Sequence, residues 1–206
     1  MKAELVMVTL VLISGSAYGQ SDKFEGFNVG LGLEYVQPKV TFSDNTSGYY
    51  RWNESDYVLE ADAAYNKAIN DKWLIGIGLT VDLNKTKAGT KTESYGPVAT
   101  SLKHHYSIYL QPTYVIDDAS AVFAKIGYHT IRVEAIGQPA YWIDDKLNTE
   151  GVGYGIGYKR FFSKNFFAQG ELQFVDYHTK SFVDGTYRWE YQQKTAAGII
   201  SVGYKF

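Results

Sequence analysis

Cysteine is absent from the 206-residue chain. That excludes a disulfide framework, a thiolate-ligated zinc site, a catalytic thiol and a lipid-modified N-terminal cysteine. An excess of charge is missing too: 20 Lys and Arg stand against 22 Asp and Glu, so the basic footprint of a nucleic-acid binder is not there. After residue 20 no apolar run is long enough to cross a membrane as a helix, and no segment keeps the 3.6-residue period of an amphipathic helix. The chain has 18 Tyr, 11 Phe, 4 Trp and 20 Gly against only 4 Pro and 2 Met, a balance that favours β-structure with close backbone approaches.

The first residues read as an export signal. Leu5 to Ile13 is apolar except for Thr9, Lys2 precedes it, and Ala17 and Gly19 supply the small residues of a cleavage site. A run of about ten residues is too short to span about 30 Å of hydrocarbon as a helix. The expected division is a signal peptide over 1–19 and one β-domain over 20–206.

Beyond residue 20 one pattern repeats. Trp73, Ile75, Ile77, Leu79, Val81 and Leu83 alternate with Leu74, Gly76, Gly78, Thr80, Asp82 and Asn84, a strand with one apolar face and one small or polar face. The same alternation occupies 27–35, 57–65, 105–114, 122–129, 152–159, 166–174 and 196–206. These eight segments of about ten residues match the length a tilted strand needs to cross a bilayer, and aromatic residues mark their ends. Connections alternate between short (66–72, 116–121, 160–165) and long and polar (43–56, 85–104, 132–150, 176–194). A soluble lipocalin-type barrel also alternates in this way, with its apolar face lining the cavity. The aromatic ends, the loop asymmetry and the end of the last strand decide for the membrane.

That last strand runs Val202-Gly203-Tyr204-Lys205-Phe206. With Phe27-Asn28-Val29-Gly30-Leu31-Gly32-Leu33 and Gly151-Val152-Gly153-Tyr154-Gly155-Ile156-Gly157-Tyr158, it makes the chain resemble the small eight-stranded outer-membrane proteins of Gram-negative bacteria, of the OmpX, OmpA-barrel and opacity types. The resemblance implies an all-β, eight-stranded antiparallel up-and-down transmembrane barrel in the cell outer membrane. It implies an assembly signal at Tyr204 and Phe206 read by the barrel-insertion machinery. It also implies a surface role in envelope integrity, adhesion or host and phage contact. Lipid and lipopolysaccharide are the expected partners of a monomer with no enzyme activity, cofactor or metal. A narrow solute channel is the alternative, and lipid A modification a third reading.

The polar strand faces carry Glu34, Glu60, Asp62, Asp82, Lys125, Lys159, Glu171 and Lys205, with Gln111, Gln169, Gln173 and His129 among them. An eight-stranded barrel is just wide enough for side chains to fill, so these charges are expected to pair as an interior plug, with glycines between them leaving room. His105 and Ser107 repeat the His-x-Ser of outer-membrane lipid A deacylases, but the Ser-Asn that follows in that family is missing and both residues point inward. His178 and Ser181 form a weaker pair. In the outward loops, residues 85–104 are rich in Lys. Tyr50, Arg51 and Trp52 in the first loop echo Arg188 and Trp189 in the last, and the two loops are expected to meet as a contact patch for an extracellular ligand.

Overall fold

The computed structural model describes residues 19–45, 49–93, 96–137, 147–184 and 186–206. A 3-10 turn over Gln20–Lys23 leads into β1 (Gly26–Asp44). The remaining strands are β2 (Tyr49–Trp52), β3 (Asp56–Ala68), β4 (Trp73–Asp82), β5 (Thr86–Glu93), β6 (Gly96–Val115), β7 (Ser120–Gly137), β8 (Leu147–Phe161), β9 (Phe166–Tyr177), β10 (Lys180–Asp184) and β11 (Tyr187–Lys205). Eight of them pair antiparallel in the order β1-β3-β4-β6-β7-β8-β9-β11, and β11 returns to β1 from Asn28↔Lys205 to Asp44↔Trp189, closing the barrel. Closure leaves the eight wall strands with no free edge in the lipid. β2, β5 and β10 are short strands of the outward hairpins.

Those hairpins correct an expectation. The segments 43–56, 85–104, 132–150 and 176–194, read from sequence as polar loops, are strand over much of their described length. The physical reason lies in an inversion of polarity along each strand. On β1 the outward residues Phe27, Leu31, Leu33 and Tyr35 are exposed and apolar, while Asn28 and Glu34 point inward and are buried. Above Tyr35 the phase continues with its chemistry reversed: Val36, Val40 and Phe42 turn inward, while Gln37 and Lys39 face out. β7 changes in the same way between Tyr128 and Ile131, and β9 between Phe174 and Val175. Below the inversion the wall faces lipid, and above it the wall faces water.

Aromatic rings mark the two borders. Tyr35 and Tyr57 meet at 5.3 Å on the outer side, with Tyr106, Tyr128 and Phe174 also exposed around the wall. On the periplasmic side, Trp73 packs edge-on against Tyr114 at 5.0 Å, and Phe206 packs on Tyr204 at 5.0 Å and Phe27 at 5.8 Å. The eight steps from Phe27 to Tyr35 cover roughly 26 Å along the strand, or roughly 20 Å across a bilayer at the usual tilt of about 40°. Among the described residues no helix is long and apolar enough to cross a membrane.

Candidate functional site

The lumen is filled in three layers. The periplasmic floor is apolar: Phe24 enters from the N-terminal turn and meets Phe161 edge-on at 5.2 Å, and Leu74, Val115, Ala121 and Phe167 complete it. The outer lid is a second apolar cluster, with Val40, Phe42, Trp52, Leu102, Val133, Val175 and Tyr191 among its members. Between floor and lid lie the charges, with a small third apolar cluster of Val36, Val58, Ala197 and Ile199 on the β1 side.

Lys125 on β7 is the centre of the charged layer. Its Nζ stands 2.7 Å from Glu171 Oε2 on β9 and 3.7 Å from Asp62 Oδ2 on β3. It also lies 4.4 Å from the centroid of the Tyr109 ring, and the Tyr109 hydroxyl donates to Asp62. Lys159 on β8 forms no direct ion pair among the described residues and lies 4.3 Å above the Phe167 ring, at the boundary with the floor. Burying these ammonium and carboxylate groups apart would cost several kcal/mol each, which pairing and ring contact offset. Nearer the lid, His105 Nδ1 on β6 meets Asp82 Oδ1 at 2.9 Å, and His105 Nε2 meets His129 Nδ1 at 3.0 Å. Glu60 lies directly across from Asp82 in the β3–β4 register. Glu34 on β1 joins them, and one carboxylate oxygen from each of the three falls within 4.8 Å of the others.

Seven of the eight charges expected inside are thus brought into the lumen. Lys205 is the exception. It pairs with Asn28 in register at the periplasmic rim, where the wall ends, and its Nζ donates to the Glu25 carbonyl at 3.1 Å. The same rim holds an ion pair between Lys67 Nζ and Glu25 Oε1 at 2.6 Å. Burial pushes the Glu25 carboxyl up, but hydrogen bonds from Lys67 and from the Ala68 N–H outweigh it, and the net shift is downward. Tyr109 and His105 belong to the network without having been assigned to it. Both stand at inward positions of β6, so period two was the available signal. The glycines do leave room: a Cβ on Gly153 would strike the His129 imidazole, one on Gly78 the Tyr109 ring, and one on Gly155 would come within 2.7 Å of Glu171 Oε1.

The His-x-Ser pair is not arranged as a nucleophile and its base. Asp82 supplies His105 with an orienting acid, but Nε2 faces His129 rather than Ser107, and Ser107 Oγ shares a 2.7 Å hydrogen bond with Thr80. A serine triad needs Nε2 on the attacking oxygen. In the last hairpin, His178 Nδ1 donates to the Glu150 carbonyl at 2.9 Å rather than to Ser181.

Outside the membrane, the first and last hairpins are neighbours as expected. β1 and β11 stay paired to Asp44↔Trp189, and the Asn45 side chain bridges to the Thr186 carbonyl at 2.8 Å. The contact patch is corrected at Trp52, which is buried in the apolar lid instead of facing water. The inward phase of the β1–β2 pairing puts Trp52 opposite Val40 and turns its ring onto the lid. Arg51 and Arg188 are exposed, and the side chains of Tyr50 and Trp189 lie outside what is described. Lys85 and Lys87, one step above the outer aromatic border, are exposed and form no ion pair among the described residues, whereas Lys103 is paired with Glu134. A bulge between Lys103 and Tyr106, with His104 at φ 51°, turns His104 outward and shifts the phase so that Leu102 and His105 both face inward.

Solved structures share this architecture. OprG from Pseudomonas aeruginosa aligns with a TM-score of 0.58 at 12% identity, over 88% of this chain and 96% of that one. Ail of Yersinia pestis aligns with a TM-score of 0.52 at 15% identity, over 88% and 99%. The Neisserial surface protein NspA aligns with a TM-score of 0.50 at 14% identity, over 88% and 98%. At these identities the likeness is one of fold. None of the curated proteins matches the chain. The family described as outer membrane protein beta-barrel domain matches residues 6–206, and the chain, with its closed eight-stranded wall, belongs to that family.

Proposed function

We propose that the protein is a closed, non-enzymatic surface protein that works as a monomer through its outward hairpins and is anchored on lipopolysaccharide. The observation that carries this reading is the build of the molecule above the lipid border. The wall strands continue outward as hairpins packed on one apolar cluster, so the outer surface is held rigidly while the lumen beneath is filled. A polar lumen is also what a narrow channel would have, but apolar layers at both mouths disfavour that role. The residues best placed to meet a polyanion are Lys85, Lys87 and His104, at head-group height. Ail has been crystallised with the heparin analogue sucrose octasulfate. For this chain the polyanion within reach is the phosphate of the surrounding outer leaflet.

The experiment compares the wild type with a Lys85→Glu/Lys87→Glu variant for association with lipopolysaccharide vesicles across a salt series. At about 0.1 M salt the screening length is about 10 Å, so contacts between exposed charges weaken visibly over this range. The wild type is expected to bind with a clear salt dependence and the variant more weakly with a flatter one. Equal, salt-independent binding by both would remove the anchor.

A further inference from the structure

The upper half of the charged layer is short of positive charge. Five carboxylates, those of Glu34, Glu60, Asp62, Asp82 and Glu171, lie between floor and lid, against the ammonium groups of Lys125 and Lys159 and the imidazole of His105. Even with His105 protonated, two negative charges stay unmatched among the described residues. Both lysines sit on the side of Asp62 and Glu171, and Lys125 reaches Glu60 only at longer range, beyond ion-pair contact. The deficit therefore falls on Glu34, Glu60 and Asp82, just below the lid.

Three further features converge there. Glu60 and Asp82 are direct cross-strand partners on the same face, an arrangement that is destabilising for like charges unless something lies between them. Glu60 is buried, 3% exposed, and its Oε2 meets no donor among the described residues. One oxygen from each carboxylate lies within 4.8 Å of the others. Three carboxylates this close suit a calcium-sized ion, which takes oxygen ligands at about 2.4 Å in adaptable geometry, better than magnesium, which demands a near-ideal octahedron at about 2.1 Å. The His105 imidazole is already committed to Asp82 and His129, so it would orient the Asp82 carboxylate from behind, as an imidazole–carboxylate pair does around many metal sites.

We infer that Glu34, Glu60 and Asp82 form a binding site for one hard divalent cation of calcium size, held inside the barrel beneath the apolar lid and taken up as the barrel folds. The site departs from the sequence reading, which expected no metal. It is separate from the lysines at head-group height. Its ligands are lumenal, and three strands, β1, β3 and β4, supply them. An ion there removes the repulsion between β3 and β4 and ties β1 to both, which would make folding of this side of the wall depend on calcium.

The test uses the full β-domain refolded in lipopolysaccharide-free detergent, in calcium or in chelator. The wild type refolded in calcium and passed over chelating resin should retain one calcium per chain by elemental analysis and melt higher than the same protein refolded in chelator. Glu60→Gln removes one charge from a repelling trio and should fold. It should lose the retained ion, weaken calcium affinity by about tenfold or more, and melt alike with and without calcium. Glu54→Gln, exposed between β2 and β3, should retain the ion. Manganese substituted for calcium should broaden the ring resonances of His105 and His129. The inference is overturned if the wild type retains no ion, if Glu60→Gln retains as much as the wild type, or if calcium shifts the melting of both equally. Midpoints that follow pH and ignore calcium would also overturn it, since protons would then be supplying the missing charge.

Discussion

Replacing Lys125 by Met tests the charged layer where its energetics are clearest. The substitution keeps much of the side-chain volume and deletes the ammonium group. At an effective dielectric of about 20, a separation of 2.7 Å from Glu171 corresponds to roughly 6 kcal/mol of attraction and 3.7 Å from Asp62 to roughly 4.5 kcal/mol. Desolvation of the ammonium group cancels a large part of this. What remains is the penalty for stranding two buried carboxylates, about 3 to 5 kcal/mol for a broken buried pair. The contact with the Tyr109 ring adds about 1 kcal/mol or less. With a urea slope of about 2 kcal/mol/M, the unfolding midpoint should fall by about 2 M. The assay is urea unfolding of the refolded barrel, followed by tryptophan fluorescence and by the heat-modifiable band on gels. A double-mutant cycle with Glu171→Gln separates the pair from its surroundings. Removing the stranded carboxylate should restore part of the loss, with a coupling of about 2 kcal/mol or more. An unchanged midpoint for Lys125→Met, or strictly additive effects in the cycle, would refute the pairing.

Deleting Phe206, whose ring packs on Phe27 and Tyr204 and whose N–H donates to the Phe27 carbonyl at 2.9 Å, should lower the folded outer-membrane level and leave unfolded chain in the periplasm; normal assembly of the deletion would show that the insertion signal lies elsewhere. Gly153→Ala drives a methyl group into the His129 ring and should cost about 1 to 3 kcal/mol, whereas Gly170→Ala, with nothing within 4 Å of the new carbon, should be neutral or slightly stabilising; equal effects in urea unfolding would contradict the packing of the lumen. At the periplasmic rim the Glu25 carboxyl is lowered, so its pairing stabilises the fold above the ordinary carboxylate range and is lost as pH falls through the lowered value; Glu25→Gln should flatten this acid limb of the stability profile, and an unaltered limb would assign it to other groups.

The strand count was legible in the sequence as period two over eight segments, while the closed antiparallel wall and its polar inner face were legible in the aromatic ends, the alternating loop lengths and the last strand. Together these signals placed Glu34, Glu60, Asp62, Asp82, Lys125, Lys159 and Glu171 inside. The extent of the strands was less legible. Where Phe27 to Tyr35 gives way to Gln37 and Lys39, the outward face turns polar, and the loss of the apolar outer face looks like the end of a strand. Only Val36, Val40 and Phe42 on the other face show that the strand goes on. Trp52 was misplaced for the same reason, since above the lipid border an inward residue is the apolar one. Cross-strand partners depend on register. The meeting of Asp82 with His105, and of His105 with His129, requires the β4–β6–β7 alignment and a bulge at His104 that no period predicts. Lys205 keeps the inward phase of its strand, but it stands where the strand leaves the wall, and phase alone does not report depth.

Conductance of the purified, refolded protein in a planar bilayer tests most directly the central claim, that the lumen is closed by apolar layers above and below a paired polar core. Wild-type protein inserted at single-molecule density should give no discrete current steps above the bare bilayer. Stable, reproducible open levels in the wild type would contradict the closed lumen and return the protein to the channel reading.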